Sequence, residues 1–254
     1  MDKTNQERQE DVMGKQYWRG GNMLYPVPAV MVSCGRPEER PNIITVAWAG
    51  TVCSSPAMVS ISVRKERYSY DILKETGEFV INLITRDLTY ATDFCGVRSG
   101  RDVDKFAQMH LTPLPSQHIS APGIAESPVN LECKVTQVIP LGSHDMFLAE
   151  VLGVTVDEKY MDENGKFHLN DAGLVAYSHG EYFELGEKLG KFGYSVAKKQ
   201  AAKPESVTKS AKPSGAGKKA ASAENRTASK TEAGNRRKSA SKTGSADKQK
   251  SRRK

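Results

Sequence analysis

Asn42–Ser69 reads NIITVAWAGTVCSSPAMVSISVRKERYS, and its periodicity decides the fold. Within it, Ala57–Val63 sets Val59, Ile61 and Val63 against Met58, Ser60 and Ser62. That two-residue alternation is the pattern of a half-buried strand. Ser54-Ser55-Pro56 is a turn signal, and Asn42–Cys53 before it reads as the preceding strand. Pro41–Val63 carries no charge, which raises the question of a membrane span. Asn42, Thr45, Thr51, Ser54, Ser55, Pro56, Ser60 and Ser62 interrupt it, so two adjacent strands explain it better. Ser69 is placed as the N-cap of a short helix through Tyr70, Leu73 and Lys74, which Gly77 stops.

Working outward, Val27–Cys34 is an apolar strand bounded by the turn-rich GRPEERP. Glu78–Ile84 (EFVINLI) returns to strand, Arg86–Phe94 reads as a second helix closed by Gly96, and Asp102–Met109 as a third. Leu131–Pro140 and Met146–Val156 are longer strands, and Asp162-Glu163-Asn164-Gly165 is a hairpin signal. Strands come first, then short helices, then strands again, without regular alternation. The expectation is a mainly β fold, an antiparallel barrel with a few short appended helices, rather than a doubly wound parallel sheet.

The average composition, 38% apolar and 7% aromatic, conceals a division. Of the 37 Lys+Arg and 30 Asp+Glu, 16 and 4 fall in residues 201–254, leaving 21 and 26 in residues 1–200. The tail is therefore +12 and the remainder −5, and every aromatic residue precedes Ala201. A segment whose apolar content is Ala and Val207 cannot offset its ordering entropy, so residues 201–254 are expected to be disordered. The division expected is a polar segment 1–22, a globular domain 23–200 and the basic tail 201–254. MDKTNQERQE holds no apolar stretch, so no secretory signal is expected. Cys34, Cys53, Cys95 and Cys133 are far apart with no C-x-x-C, which favours a reducing, cytoplasmic setting. There is no G-x-G-x-x-G, no G-x-x-x-x-G-K-[ST], no G-x-S-x-G and no H-x-x-x-H, so no metal site is assigned.

Six segments in order carry a resemblance: T-V-A-W at Thr45–Trp48, C-S-S-P at Cys53–Pro56, S-V-R-K-E-R-Y-S at Ser62–Ser69, F-V-I-N-L at Phe79–Leu83, C-G-V-R-S-G-R-D-V-D-K-F at Cys95–Phe106 and S-H-D-M-F at Ser143–Phe147. Together they resemble the flavin reductase-like family, on its flavoredoxin branch, over about Tyr25 to Lys198. The resemblance implies an FMN-binding split barrel, paired as a homodimer.

FMN presents a phosphate of about two negative charges, which wants cations, hydroxyls and N–H donors. Its ring wants an apolar wall with fixed polar contacts. Ala47–Ser55 offers small residues and hydroxyls; by composition alone it reads more readily as an ordinary core strand. The resemblance implies that the flavin lies against this strand and turn, at Ala47, Trp48, Ala49, Gly50, Thr51, Cys53, Ser54 and Ser55, with Asn42 nearby. It places phosphate or ribityl contacts at Arg64, Lys65 and Ser69, beside Tyr68. It brings Lys105 to the phosphate on a loop containing Ser99, and it puts His144 beside the ring as the candidate catalytic group. Tyr177 is taken as an aromatic neighbour of the ring. Each has a plainer reading: a solvated charged turn for Arg64–Ser69, a surface lysine for Lys105, a strand-junction histidine for His144. Cys95 is read as a buried small residue.

The leading function is an FMN-dependent oxidoreductase. Reducing equivalents would pass from NAD(P)H, stacking transiently on the flavin, or from a protein donor, to flavin, metal or a redox partner. The alternatives are an FMN-holding electron carrier and a polyanion-binding protein. The tail's lysine and arginine clusters suit weak nucleic-acid contact without base recognition, since they lack aromatics.

Overall fold

A computed structural model of the chain describes residues 14–36 and 38–197. The expectations for residues 1–13 and for the tail lie outside them. The strands are β1 (Val27–Pro28), β2 (Val30–Cys34), β3 (Asn42–Val46), β4 (Ala49–Ser54), β5 (Ala57–Arg64), β6 (Glu78–Leu83), β7 (Pro113–Leu114), β8 (Gly123–Ile124), β9 (Val129–Pro140), β10 (His144–Val156), β11 (Val175–Ser178) and β12 (Glu181–Glu184). The helices are α1 (Tyr68–Thr76), α2 (Thr89–Val97) and α3 (Lys105–Gln108).

Seven strands form one antiparallel sheet in the order β3-β2-β6-β9-β10-β5-β4. Its two edges, β3 and β4, are consecutive in the chain and joined by Ala47 and Trp48 alone. Three Cα–Cα steps span at most about 11 Å, so the edges must approach and the sheet must curl into a barrel. The edges are not hydrogen-bonded to each other, and the barrel stays split along that line. A backbone bond from Ser62 N to Trp48 O (2.9 Å) fastens the crossing to β5. This corrects the single strand expected over Asn42–Cys53: the chain breaks at Ala47–Trp48 to pass from one edge to the other. The run Val27–Cys34 is likewise two strands. β1 pairs with β11 in a three-stranded sheet, while β2 belongs to the barrel.

The barrel is filled from alternate positions, as the pattern of β5 requires. Val59, Ile61 and Val63 point inward with Val30, Val32, Ile44, Phe79 and Phe147, and α1 adds Tyr70, Ile72 and Leu73. A second core lies outside the sheet, where Met31 and Ile43 meet Ile84, Leu88, Cys95 and Phe106 under α2 and α3. β2 and β3 are thus covered on both faces, which is why apolar residues in them, Val30–Val32 and Ile43-Ile44, run consecutively rather than alternate. Among the described residues no helix is long and apolar enough to cross a membrane.

Local signals met tertiary demands unevenly. Gly77 ends α1 in the left-handed region (φ 65°), its N–H bonding Leu73 O at 3.0 Å. Ser69 is not the N-cap; Arg67 is, and Ser69 is buried in the first turn. Gly96 does not close α2, which runs on to Val97. A Cβ there would stand 3.2 Å from Thr45 Cβ, so the bare glycine lets the helix lie against β3. The third helix shortens to Lys105–Gln108, capped by Asp104 accepting from Ala107 N at 3.0 Å. The Asp162–Gly165 hairpin is reduced to one bridge, Met161 with Phe167.

Candidate functional site

The split opens into two cavities. The narrower, 150 Å³, lies between β3 and β5, walled by Ile44–Trp48 and Ser62–Arg64, with His144 at its side. The wider, 330 Å³, lies between the start of α1, the end of α2 and the loop leading to α3. Both are lined by Ile44 and Arg67, so they form one groove whose two parts differ in chemistry.

The wide end is cationic. Arg67, Arg98, Arg101 and Lys105 line it against a single carboxylate, Glu66, which Arg64 already pairs at 3.2 Å. Lys105 is 4% exposed, and its Nζ donates to the carbonyls of Ile43 (2.6 Å) and Cys95 (2.7 Å). Burial pushes the ammonium down to about 8. Asn42 reaches across the floor, Nδ2 donating to Ser69 Oγ at 2.7 Å. Gly100 completes the floor: a Cβ on it would fall inside the Asn42 amide and 2.7 Å from Tyr68 Cδ1. The Arg101 guanidinium stands 5.4 Å from the Tyr68 ring centre. Cys95 is fully buried and its thiol is raised to about 11 by burial, as the reading of it as a small core residue requires.

The narrow end is less cationic: of its lining residues only Arg64, paired with Glu66 at 3.2 Å, and the shared Arg67 carry a permanent charge. Ala47 and Trp48, the two residues of the strand break, line it. His144 opens β10 opposite Arg64, its Nδ1 2.9 Å from Ser143 Oγ. Burial, then the neighbouring Arg64 charge, holds its imidazole below the usual histidine range, so it is neutral near pH 7. The next residue, Asp145, turns inward. It is 3% exposed, accepts from Tyr70 OH at 2.6 Å and lies 3.3 Å from Lys65 Nζ. The Tyr70 hydrogen bond keeps this carboxyl below the usual range, and the same contact drives Tyr70 up to about 12.

The groove therefore gathers Asn42, Ala47, Trp48, Arg64, Tyr68, Ser69, Ser99, Lys105 and His144. Ala49, Gly50, Thr51, Cys53, Ser54 and Ser55 line neither cavity. They belong to β4 and its turn, beyond the crossing, and Thr51, Ser54 and Ser55 are exposed. Lys65 is drawn off by Asp145. Tyr177 sits on β11 in an aromatic cluster, 5.6 Å from Tyr182 and 6.2 Å from Tyr25 by ring centres. Arg98 and Arg101 were missing from the sequence-derived set. The available signal was two arginines flanking Ser99-Gly100, since cations beside a glycine make a tight basic loop. Among the described residues no group of three His, Cys, Asp or Glu side chains is placed to hold a metal ion.

A model of the flavin reductase like domain matches residues 22–186. Flavoredoxin of Desulfovibrio vulgaris (Miyazaki F) superposes with a TM-score of 0.67 at 34% identity, over 72% of this chain and 100% of that one. An FMN-binding protein from Thermus thermophilus, solved with bound 1-cyclohex-2-enone, superposes with a TM-score of 0.59 at 23% identity, over 70% and 99%. This second likeness is one of fold. An uncharacterized protein of Archaeoglobus fulgidus is 31% identical over 160 residues, 63% of this chain and 88% of its own length.

Proposed function

The chain belongs to the flavin reductase-like family, and from that membership we propose that it is an oxidoreductase holding FMN in the groove between Lys105 and His144. The observation that carries this reading is the groove's polarity. One end offers Arg67, Arg98, Arg101, Lys105 and the Ser69 hydroxyl; the other is smaller and less cationic, sharing Arg67, with Arg64 paired to Glu66, and is lined by Ala47 and Trp48. FMN has the same polarity, a phosphate of about two negative charges at one end and a planar ring at the other. When bound, the flavin supplies the group that accepts and gives up a hydride or electrons.

The residues divide the work by position. Lys105 uses two of its three N–H donors on carbonyls, which fixes its charge beneath the phosphate end. Arg67 stands where the two parts meet, within reach of either. Trp48 and Ala47 orient the ring, and neutral His144 can accept a proton beside it. NAD(P)H or a protein donor supplies the reducing equivalents, and flavin, metal or a redox partner takes them. The likeness to flavoredoxin supports a second reading, an FMN-holding electron carrier with poor NAD(P)H turnover.

The purified protein is expected to be yellow and to release FMN on heating. Mixed anaerobically with NADPH or NADH, the enzyme bleaches rapidly; the carrier is reduced by dithionite but not by either nucleotide. A colourless protein that takes up no FMN at micromolar supply rejects both readings.

The reading extends to the whole chain as a cytoplasmic homodimer. Tyr17, Trp18, Met23, Leu24, Leu189 and Phe192 are large apolar side chains left exposed in one copy, which supports pairing. Residues 201–254, at +12, are assigned weak, salt-sensitive contact with nucleic acid or another polyanion. The chain without them, residues 1–200, keeps its flavin spectrum if that contact is an accessory one.

A further inference from the structure

Asp145 follows His144 at the start of β10, pairs with Val63 across the ladder and is 3% exposed. One oxygen, Oδ2, accepts from Tyr70 OH at 2.6 Å. The other, Oδ1, is shut off from solvent, accepts no well-formed hydrogen bond and faces the Lys65 ammonium at 3.3 Å. Burying an ionised carboxylate is costly, and an amide would accept the same tyrosine bond at lower cost. The charge therefore calls for a reason beyond stability.

That reason lies in the segment between its two partners. The four residues that separate Lys65 from Tyr70, namely Glu66, Arg67, Tyr68 and Ser69, all line the wide cavity. Lys65, Tyr70 and Asp145 line neither part of the groove. One carboxylate outside the groove thus fastens both ends of a segment inside it. Arg64, Lys65 and Arg67 crowd three cations onto the start of α1, where the helix dipole repels them. Glu66 pairs Arg64 at 3.2 Å and Asp145 pairs Lys65, which leaves Arg67, the N-cap, as the cation shared by both cavities. The neighbouring His144 turns to Ser143 Oγ instead, so the carboxylate's two contacts both serve the wide end.

We propose that Asp145 is a positioning residue: by holding Lys65 and Tyr70 it sets Arg67 and Ser69 over the groove, and so fixes how the phosphate end of the flavin is bound. This rests on the groove holding a flavin phosphate at its wide end. Asp145 itself touches no ligand, and Lys65 acts through this carboxylate rather than on the phosphate directly.

The test titrates the full-length, flavin-free protein with riboflavin and with FMN by fluorescence; the ratio of the two affinities reports the phosphate end alone. Asp145→Asn keeps the shape and removes the charge. It is expected to weaken FMN by about tenfold and riboflavin by less than about threefold. Lys65→Met is expected to weaken FMN by about threefold, and Asp145→Asn/Lys65→Met no further than Asp145→Asn alone, because residues acting through one contact are not additive. A merely structural role would lower both flavins alike, or move only the unfolding midpoint, and either result overturns the proposal. So does tighter FMN binding by Asp145→Asn, which would put the freed Lys65 on the phosphate, and so do additive losses in the double variant. Should Asp145→Asn fail to fold, Tyr70→Phe and Lys65→Met each remove one tether and leave the carboxylate; an unchanged FMN-to-riboflavin ratio in both overturns the proposal. An unaltered protein that binds riboflavin as tightly as FMN instead rejects the phosphate reading, and this role of Asp145 with it.

Discussion

Both carbonyls that Lys105 reaches, on Ile43 and Cys95, are neutral acceptors, so its charge is fixed in place without being cancelled. Two pH dependences of opposite sign follow. Burial lowers this lysine from 10.5 to about 8. Between those values the unfolded chain binds more protons than the folded one, so the flavin-free protein gains stability as pH rises from about 8 to 10.5. That contribution is lost as pH falls through about 8. Phosphate binding runs the other way, because an ammonium attracts the anion and a neutral amine does not. FMN affinity measured by fluorescence should therefore weaken as pH rises through about 8. Lys105→Met should bind FMN less well at pH 7, by about 1.5–3 kcal/mol, and lose this pH dependence. A variant that keeps the slope of the unaltered protein removes Lys105 from the phosphate site. The sequence marked Lys105 as a cation on a helix. That it would be 4% exposed could not be read there, because its covering comes from β3 and α2.

Glycines show the same limit at the level of elements. Gly77 was legible as a helix stop because its task, a left-handed residue after α1, is local. Gly96 looked like a stop and is a contact surface, since what decides its role is Thr45, fifty-one residues earlier on β3. Gly100 belongs to the second kind. Its missing side chain lets the Arg98–Lys105 segment close on Asn42 and Tyr68. Gly100→Ala should force these apart, costing about 1–3 kcal/mol in denaturant unfolding and releasing FMN from the cationic end. Unchanged unfolding midpoint and unchanged FMN affinity together would show that the loop has slack there. The facing of strand residues was easier to foresee than loops: β5 alternates because one face is core, whereas the loop before α3 has no period to read.

For the whole molecule, the exposed Tyr17, Trp18, Met23, Leu24, Leu189 and Phe192 bear on assembly. Sedimentation of the full chain at micromolar concentration should give twice the chain mass; a monomer there removes the homodimer. The sequence by itself determined the mainly β antiparallel class, the inward positions of β5, the family, and the separation of a basic tail from an acidic remainder. These follow from period, composition and ordered motifs, all of which are local or additive. Only the tertiary structure decided that Asn42–Cys53 is two strands on opposite edges of one sheet, and that the candidate groove runs from the crossing between them to the loop before α3. It also decided that Lys65 serves Asp145 while Arg67, Arg98 and Arg101 face the groove. The reason is geometric. A two-residue crossing closes the barrel only when the other strands set its curvature, and a side chain's partner is chosen by whichever segment that curvature brings against it.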